Sequence, residues 1–133
     1  MKTKNKALYL TLTVVFSILF CVCKLHNLGW LSIIAFFPII LYLIFYIIYG
    51  SIFANLKNKT KNDYLFFWLI SFFFLLSGLL FVDSGDSGPP SQIIKFIPSN
   101  VSLIISLFSA LVATILMIVS LIIKKQQKNN SLH

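Results

Sequence analysis

Four long apolar blocks, separated by short polar segments, organise this chain. They predict spanning helices over about residues 7–24, 28–53, 64–82 and 99–123, and no charged residue interrupts a block before its end. A helix rises about 1.5 Å per residue, so roughly 20 residues cross a hydrocarbon core of about 30 Å. Lipid offers no partner to a free backbone N–H or C=O, so each span must be helical. The pattern predicts an all-α membrane protein, a four-transmembrane-helix bundle that forms one integral membrane domain over residues 1–133.

Composition agrees with this prediction. Of the 133 residues, 59% are hydrophobic and 11% are charged. Soluble domains average about 45–50% hydrophobic residues and about 25% charged residues. The net charge of +8 comes from lysines that flank the apolar blocks and form no basic stripe. We therefore expect the lipid bilayer as the partner of this chain, and no nucleic acid.

The lysines also predict an orientation. With four crossings, the two tails and the middle loop share one side of the membrane. That side carries Lys2, Lys4, Lys6, Lys57, Lys59, Lys61, Lys124, Lys125 and Lys128, against Lys24 and Lys95 on the other. Positive residues stay on the cytoplasmic side, so both termini are expected in the cytoplasm of a bacterial cell with the chain in its inner membrane. The first block lacks small residues for signal-peptide cleavage, which favours a retained anchor over a removed leader.

The segment "FVDSGDSGPP" (residues 81–90) resembles the sequence around the nucleophile of chymotrypsin-like proteases. The predicted orientation places it on the same side as His26. Such a catalytic site needs β-barrels and an oxyanion hole, which four apolar blocks do not supply. Gly and Pro are also typical of exposed turns, and Asp83 and Asp86 lack the ligand count of a calcium loop. We interpret the segment as a turn, and expect no catalytic residue, metal site or cofactor.

Polar and aromatic residues on this outer side are instead candidates for contact with a partner protein. They are His26, Trp30, Asp83, Asp86 and Lys95. In "SQIIKFIPSN" (residues 91–100), the apolar residues recur at helical spacings ahead of Pro98. This predicts a short interfacial helix before the last span. The alternative is that these residues begin a longer, Pro-kinked last helix.

Two stripes lie inside the predicted spans. The first, Ser102, Ser106, Ala110 and Thr114, recurs every four residues, as is typical of close helix packing. The second is an aromatic face of the second span, Tyr42, Phe45, Tyr46 and Tyr49, below a kink predicted at Pro38. Its hydroxyls need partners, and Ser71, Ser77 or the serine stripe can supply them. Besides packing, the stripes leave open a hydroxyl-lined pore or a docking face.

Cys21 and Cys23 lie two residues apart on one predicted helix, on different faces, so they cannot pair with each other. No span carries a carboxylate, which excludes proton-coupled exporters of the four-helix multidrug type.

The leading hypothesis is a non-catalytic interaction protein. In general build the chain resembles bacterial immunity proteins against pore-forming toxins, which are small, multi-pass and lysine-rich. This resemblance implies a toxin as partner. An accessory subunit, bound to another protein in a membrane complex, would have the same build. The alternative is a homo-oligomeric small channel or transporter with the tyrosine or serine stripe facing water.

Overall fold

The computed structural model describes residues 2–26, 29–56, 59–83 and 93–130, with the side chains of residues 5–126 in these ranges except 30 and 31. The regular structure there is helical, and no strand occurs within these ranges. The helices are α1 (Lys2–His26), α2 (Trp30–Ile34), α3 (Phe36–Asn55), α4 (Lys61–Leu79) and α5 (Ser99–Asn130).

Four of these helices are long and apolar enough to cross a membrane. Their qualifying segments are Asn5–His26, Phe36–Asn55, Lys61–Leu79 and Ser99–Gln126. The all-helical class and the four candidate spans are thereby confirmed. Helices α1 and α5 extend past the apolar blocks into the lysine-rich tails, because Lys and Gln have high helix propensity even where no apolar face is buried.

Helices α2 and α3 correspond to one predicted span that is interrupted at Ala35. Its backbone sits at φ −86° and ψ 9°, outside the helical region. Pro38 lies three residues later, and its ring lacks the N–H that would bond to the Ile34 carbonyl. Helical bonding resumes when the Ile39 N–H donates to the Ala35 oxygen at 2.9 Å. The irregularity predicted from Pro38 is confirmed, one turn nearer to the start of the helix than the proline itself.

The predicted interfacial helix is not present in the described part of its segment. Residues 93–98 form a turn and a bend, and α5 begins at Ser99. The same residues do not extend α5 either. Pro98 explains the second result, because a proline disfavours helical geometry in the residue before it. Ser102 N–H donates to the Pro98 carbonyl at 2.9 Å, which closes the first turn of α5.

The four long helices form a bundle in which the neighbouring helices α3 and α5 make few contacts. Helix α4 packs along α5, and α1 packs against both α3 and α4, whereas α3 and α5 meet sparsely. Gly50 of α3 lies against the Thr13 side chain of α1, leaving no room for a larger residue. The open seam between α3 and α5 is the side on which a cavity is found.

Aromatic rings fill the middle of the bundle. The rings of Tyr46 and Phe74 stack with centroids 3.9 Å apart, and Phe20 stacks on Phe74 at 4.5 Å. A second stack, Phe53 on Phe67 at 4.6 Å, continues the core. Stacks of this kind stabilise a core beyond the contribution of burial alone. They also occupy the space between the helices within a single copy of the chain.

Candidate functional site

One end of the bundle is organised by a buried carboxylate, Asp83, just after α4. We call it the Asp83 end. Asp83 is 0% exposed, and its Oδ2 accepts hydrogen bonds from the backbone N–H groups of Gly29 (2.9 Å) and Ser32 (2.7 Å). Gly29 directly precedes α2 and Ser32 lies in its first turn, where a helix leaves N–H groups without internal partners. Asp83 therefore ties the segment after α4 to the connection between α1 and α3.

Lys24, near the end of α1, projects into the same region. Its Nζ lies 3.1 Å from the centroid of the Phe81 ring and 5.7 Å from that of Phe20. Both are cation–π distances. Asp83 attracts the ammonium through space, but among the described residues no carboxylate lies within 4.0 Å of the Lys24 Nζ. The ammonium is thus held over aromatic faces without a direct anionic partner there.

Two apolar cavities flank Lys24. The α3–α5 cavity has a volume of about 380 Å³ and lies in the open seam of the bundle. The α2–α3 cavity has a volume of about 300 Å³ and lies where the starts of α2 and α3 face α1. Phe20, Lys24 and Ile39 line both. A charged group therefore stands at the junction of two cavities with mostly hydrocarbon walls.

Hydroxyl groups join the helices behind these cavities. Tyr46 and Ser71 share a hydrogen bond of 2.9 Å, and Ser77 donates to the Tyr42 hydroxyl at 3.4 Å. The predicted pairing of this tyrosine face with Ser71 and Ser77 is confirmed for these two tyrosines. Tyr49 differs, because its buried hydroxyl makes no hydrogen bond within the described residues. The Ser120 side chain lies near the Tyr49 hydroxyl, but the two groups do not meet the distance and angle of a hydrogen bond.

The predicted serine stripe of α5 divides into two halves. Ser102 donates to the Leu80 carbonyl at 2.8 Å and Ser106 to the Ser77 carbonyl at 2.6 Å, so this half is bonded to the end of α4. Thr114 donates to the carbonyl of Ala110 in its own helix at 2.8 Å. Ala110 and Thr114 line the α3–α5 cavity, as Ser106 also does. Ser102 and Ser106 thus bond α5 to α4, and Ser106 shares the cavity wall with Ala110 and Thr114.

The candidate partner-contact residues lie in different settings. His26 and Lys95 are exposed. Asp83 is fully buried, so in this structure it caps backbone donors and presents no surface to a partner. Asp86 and the side chain of Trp30 lie outside the described residues, as do the serines of the protease-like motif. Phe96, beside Lys95, is 87% exposed and was not among the predicted contacts.

The opposite end, the Asp63 end, carries a second polar cluster. Asp63 accepts from the Thr60 N–H at 2.7 Å and completes a capping box at the start of α4. Lys59 donates to the carbonyls of Ala54 (3.2 Å) and Leu56 (2.9 Å), which caps the end of α3. Loss of hydration lowers the pKa of Lys59, and the Asp63 carboxylate opposes this shift. These contacts hold helix ends in place.

Comparison with known proteins gives no match to a protein-family model, a curated protein or a solved structure. Within the described ranges, no three His, Cys, Asp or Glu side chains form a group that would hold a metal ion. Cys21 and Cys23 are both free thiols.

Proposed function

We propose that this chain is a non-catalytic interaction protein of a cell membrane, which recognises another membrane protein or a membrane-active toxin. The observation that carries the proposal is the core between α1, α3 and α4, which aromatic rings fill. Stacked rings occupy the axis, and the Tyr46 and Ser106 hydroxyls are bonded within one copy. Recognition therefore belongs to the outward-facing surfaces.

The proposed orientation places the Asp63 end in the cytoplasm and the Asp83 end outside. Nine lysines at or near the Asp63 end, against Lys24 and Lys95 at the other, support this under the positive-inside rule. Both termini are then cytoplasmic, and a bacterial inner membrane is the proposed location. His26, Lys95 and Phe96 face the exterior.

Phe96 and Lys95 form the proposed recognition surface. Phe96 is 87% exposed, the highest value among the large hydrophobic side chains of the described residues, and it lies next to an exposed cation. Aromatic residues are enriched among the residues that dominate binding energy at interfaces. An immunity-type partner would be a toxin that approaches from outside. An accessory subunit would use the same surface against its complex.

A channel built from several copies receives less support. Two hydroxyls that would line its pore are used inside one copy, where Tyr46 bonds to Ser71 and Ser102 to the Leu80 carbonyl. A pore between copies would have to be lined by the outer faces of the helices. The exposed residues there are large and apolar, as Leu107, Phe108 and Leu111 of α5 show.

A photo-crosslinking residue in place of Phe96, introduced into the chain in its native host, tests the interaction proposal. We expect a discrete protein adduct at position 96. The matched control is position 108, a phenylalanine on α5 that is also exposed and is expected to meet lipid. Equal adducts at both positions, or none at either, would contradict a recognition surface at Phe96. Selective ion flux through liposomes that contain the purified chain would favour the channel instead.

For an immunity role, the relevant assay is survival of cells that express a toxin encoded beside this chain. The combined substitutions Lys95→Gln and Phe96→Ala should abolish protection, and Lys125→Gln at the other end should not. Asp83 should stay unchanged in such variants, because its loss would disturb the fold as well as the surface. Full protection by the double variant would rule out this surface as the toxin-binding site.

A further inference from the structure

The surroundings of the Lys24 ammonium favour the binding of an anion. Its ammonium lies over the Phe81 ring, and no ion pair to it is formed among the described residues. The carboxylate that attracts it through space, Asp83, is buried and already accepts two backbone hydrogen bonds through Oδ2. Lys24 also borders two cavities that protein atoms leave unfilled. An occupant of either cavity would meet this cation.

The two cavities lie on different sides of the start of α3. Pro38 and Tyr42 line the α3–α5 cavity, whereas Phe36 and Ile40 line the α2–α3 cavity, and Ile39 borders both. An occupant that fills both must have two apolar arms that join near Lys24. Cavities of about 300–1,000 Å³ are typical of small-molecule sites, and both volumes fall at the lower end of that range.

We propose that the Asp83 end binds one anionic diacyl phospholipid of the surrounding bilayer. The phosphate lies against Lys24, and one acyl chain enters each cavity. The two acyl chains therefore lie on opposite sides of the start of α3. Lys24 is within one turn of the end of a helix long enough to cross a membrane, which is the depth at which lysines reach the headgroup region. The site requires the membrane location of the bundle and is independent of any protein partner.

Other occupants fit the cavities less well. A partner helix about 10 Å across fills roughly 400 Å³ with each turn, so neither cavity would hold more than about one turn of it. A free fatty acid has one chain and would leave one cavity empty. A zwitterionic lipid would fill both cavities, but its own cation would compete with Lys24 for the phosphate.

The test is lipid titration of the full chain, purified and delipidated in detergent, with bound lipids counted by native mass spectrometry. The probes are dioleoyl phosphatidylglycerol, dioleoyl phosphatidylcholine, single-chain lyso-phosphatidylglycerol and inorganic phosphate. We expect one phosphatidylglycerol per chain, bound at least fivefold more tightly than phosphatidylcholine, because a lysine near an anionic headgroup contributes about that factor. Lyso-phosphatidylglycerol should bind more weakly, and inorganic phosphate should not compete.

Variants separate the roles of charge and cavity. Lys24→Gln should abolish the preference for phosphatidylglycerol, Lys24→Arg should keep it, and Lys125→Gln, at an exposed position of the Asp63 end, should change nothing. Ala110→Leu narrows the α3–α5 cavity without altering charge, and should weaken binding of the diacyl lipid but not of the lyso lipid. A phosphatidylglycerol preference that survives Lys24→Gln, equal binding of diacyl and lyso lipids, or full diacyl affinity in Ala110→Leu would each overturn the proposal.

Discussion

The Asp63 carboxylate and the Lys124 ammonium lie 2.7 Å apart and join the start of α4 to the final turns of α5. The same oxygen, Oδ2, accepts hydrogen bonds from the Thr60 N–H at 2.7 Å and the Thr60 hydroxyl at 2.9 Å. The two charged side chains are 7% and 16% exposed. One carboxylate therefore serves as a helix cap and as a link between the two helices with the most extensive contact.

Replacing Lys124 with Met should lower the free energy of unfolding by about 1–3 kcal/mol, because it removes one partner from a buried carboxylate. The control is Lys125→Met, at an exposed neighbouring position, where little effect is expected. Thermal unfolding of the purified chain in one detergent measures the difference. Equal unfolding midpoints for the two variants would show that the ion pair adds nothing.

Tyr46 and Tyr49 provide a matched pair of buried hydroxyls. Tyr46→Phe should destabilise the bundle by about 0.5–1 kcal/mol, since it leaves Ser71 without its partner. Tyr49→Phe should be neutral or stabilising, because it removes a buried hydroxyl that has no hydrogen bond within the described residues. Detergent unfolding of the two single variants and of Tyr46→Phe with Ser71→Ala tests this. A larger loss for Tyr49→Phe than for Tyr46→Phe would contradict the assignment.

Gly50 should not tolerate a methyl group. A Cβ built at this position would meet the Thr13 side chain, with its Cβ only 2.9 Å away. In an open helix, Gly→Ala stabilises by about 1 kcal/mol, but overpacking here should reverse the sign and cost about 1–3 kcal/mol. Thr13→Ala should recover part of the loss by removing the two outer atoms. A more stable Gly50→Ala variant would show that α1 and α3 pack less closely than described.

Asp83 should act through hydrogen bonding more than through charge. Both backbone donors bond to a single oxygen, and the amide oxygen of Asn can take that place. Asp83→Asn should therefore retain most of the stability, whereas Asp83→Ala should cost about 2 kcal/mol or more by leaving buried N–H groups without an acceptor. The unfolding midpoints of the two variants give the comparison. Equal losses for Asn and Ala would mean that the charge itself is what the fold needs.

Hydropathy alone was sufficient to predict the four helices that are long and apolar enough to span a membrane, because a long uncharged segment has few other stable environments. Serine spacing and tyrosine spacing also predicted hydroxyl pairing, since a buried hydroxyl must find an acceptor. The interfacial helix predicted within residues 91–100 is not present over the described residues 93–98, because apolar spacing alone does not offset the cost of nucleating so short a helix.

The buried role of Asp83 and the setting of Lys24 could not be predicted from the sequence. In a Gly- and Ser-rich segment an aspartate usually indicates an exposed turn, and nothing nearby signals that its acceptor oxygen meets Gly29 and Ser32 more than 50 residues away. From the sequence, Lys24 was predicted only to end the first span. Only its position between two cavities sets it apart, and that position depends on how α1, α3 and α5 are arranged in space.

The central claim, four crossings with both termini in the cytoplasm, is tested most directly by labelling single cysteines with a membrane-impermeant maleimide. Cys21 and Cys23 are first replaced by serine, and one cysteine is then placed at position 6, 61, 95 or 126, where the native residues are exposed. In intact spheroplasts only the position 95 variant should react, and the other three should react after the membrane is opened. Equal labelling at positions 95 and 126 in intact spheroplasts, or recovery of the chain in the soluble fraction, would contradict the account.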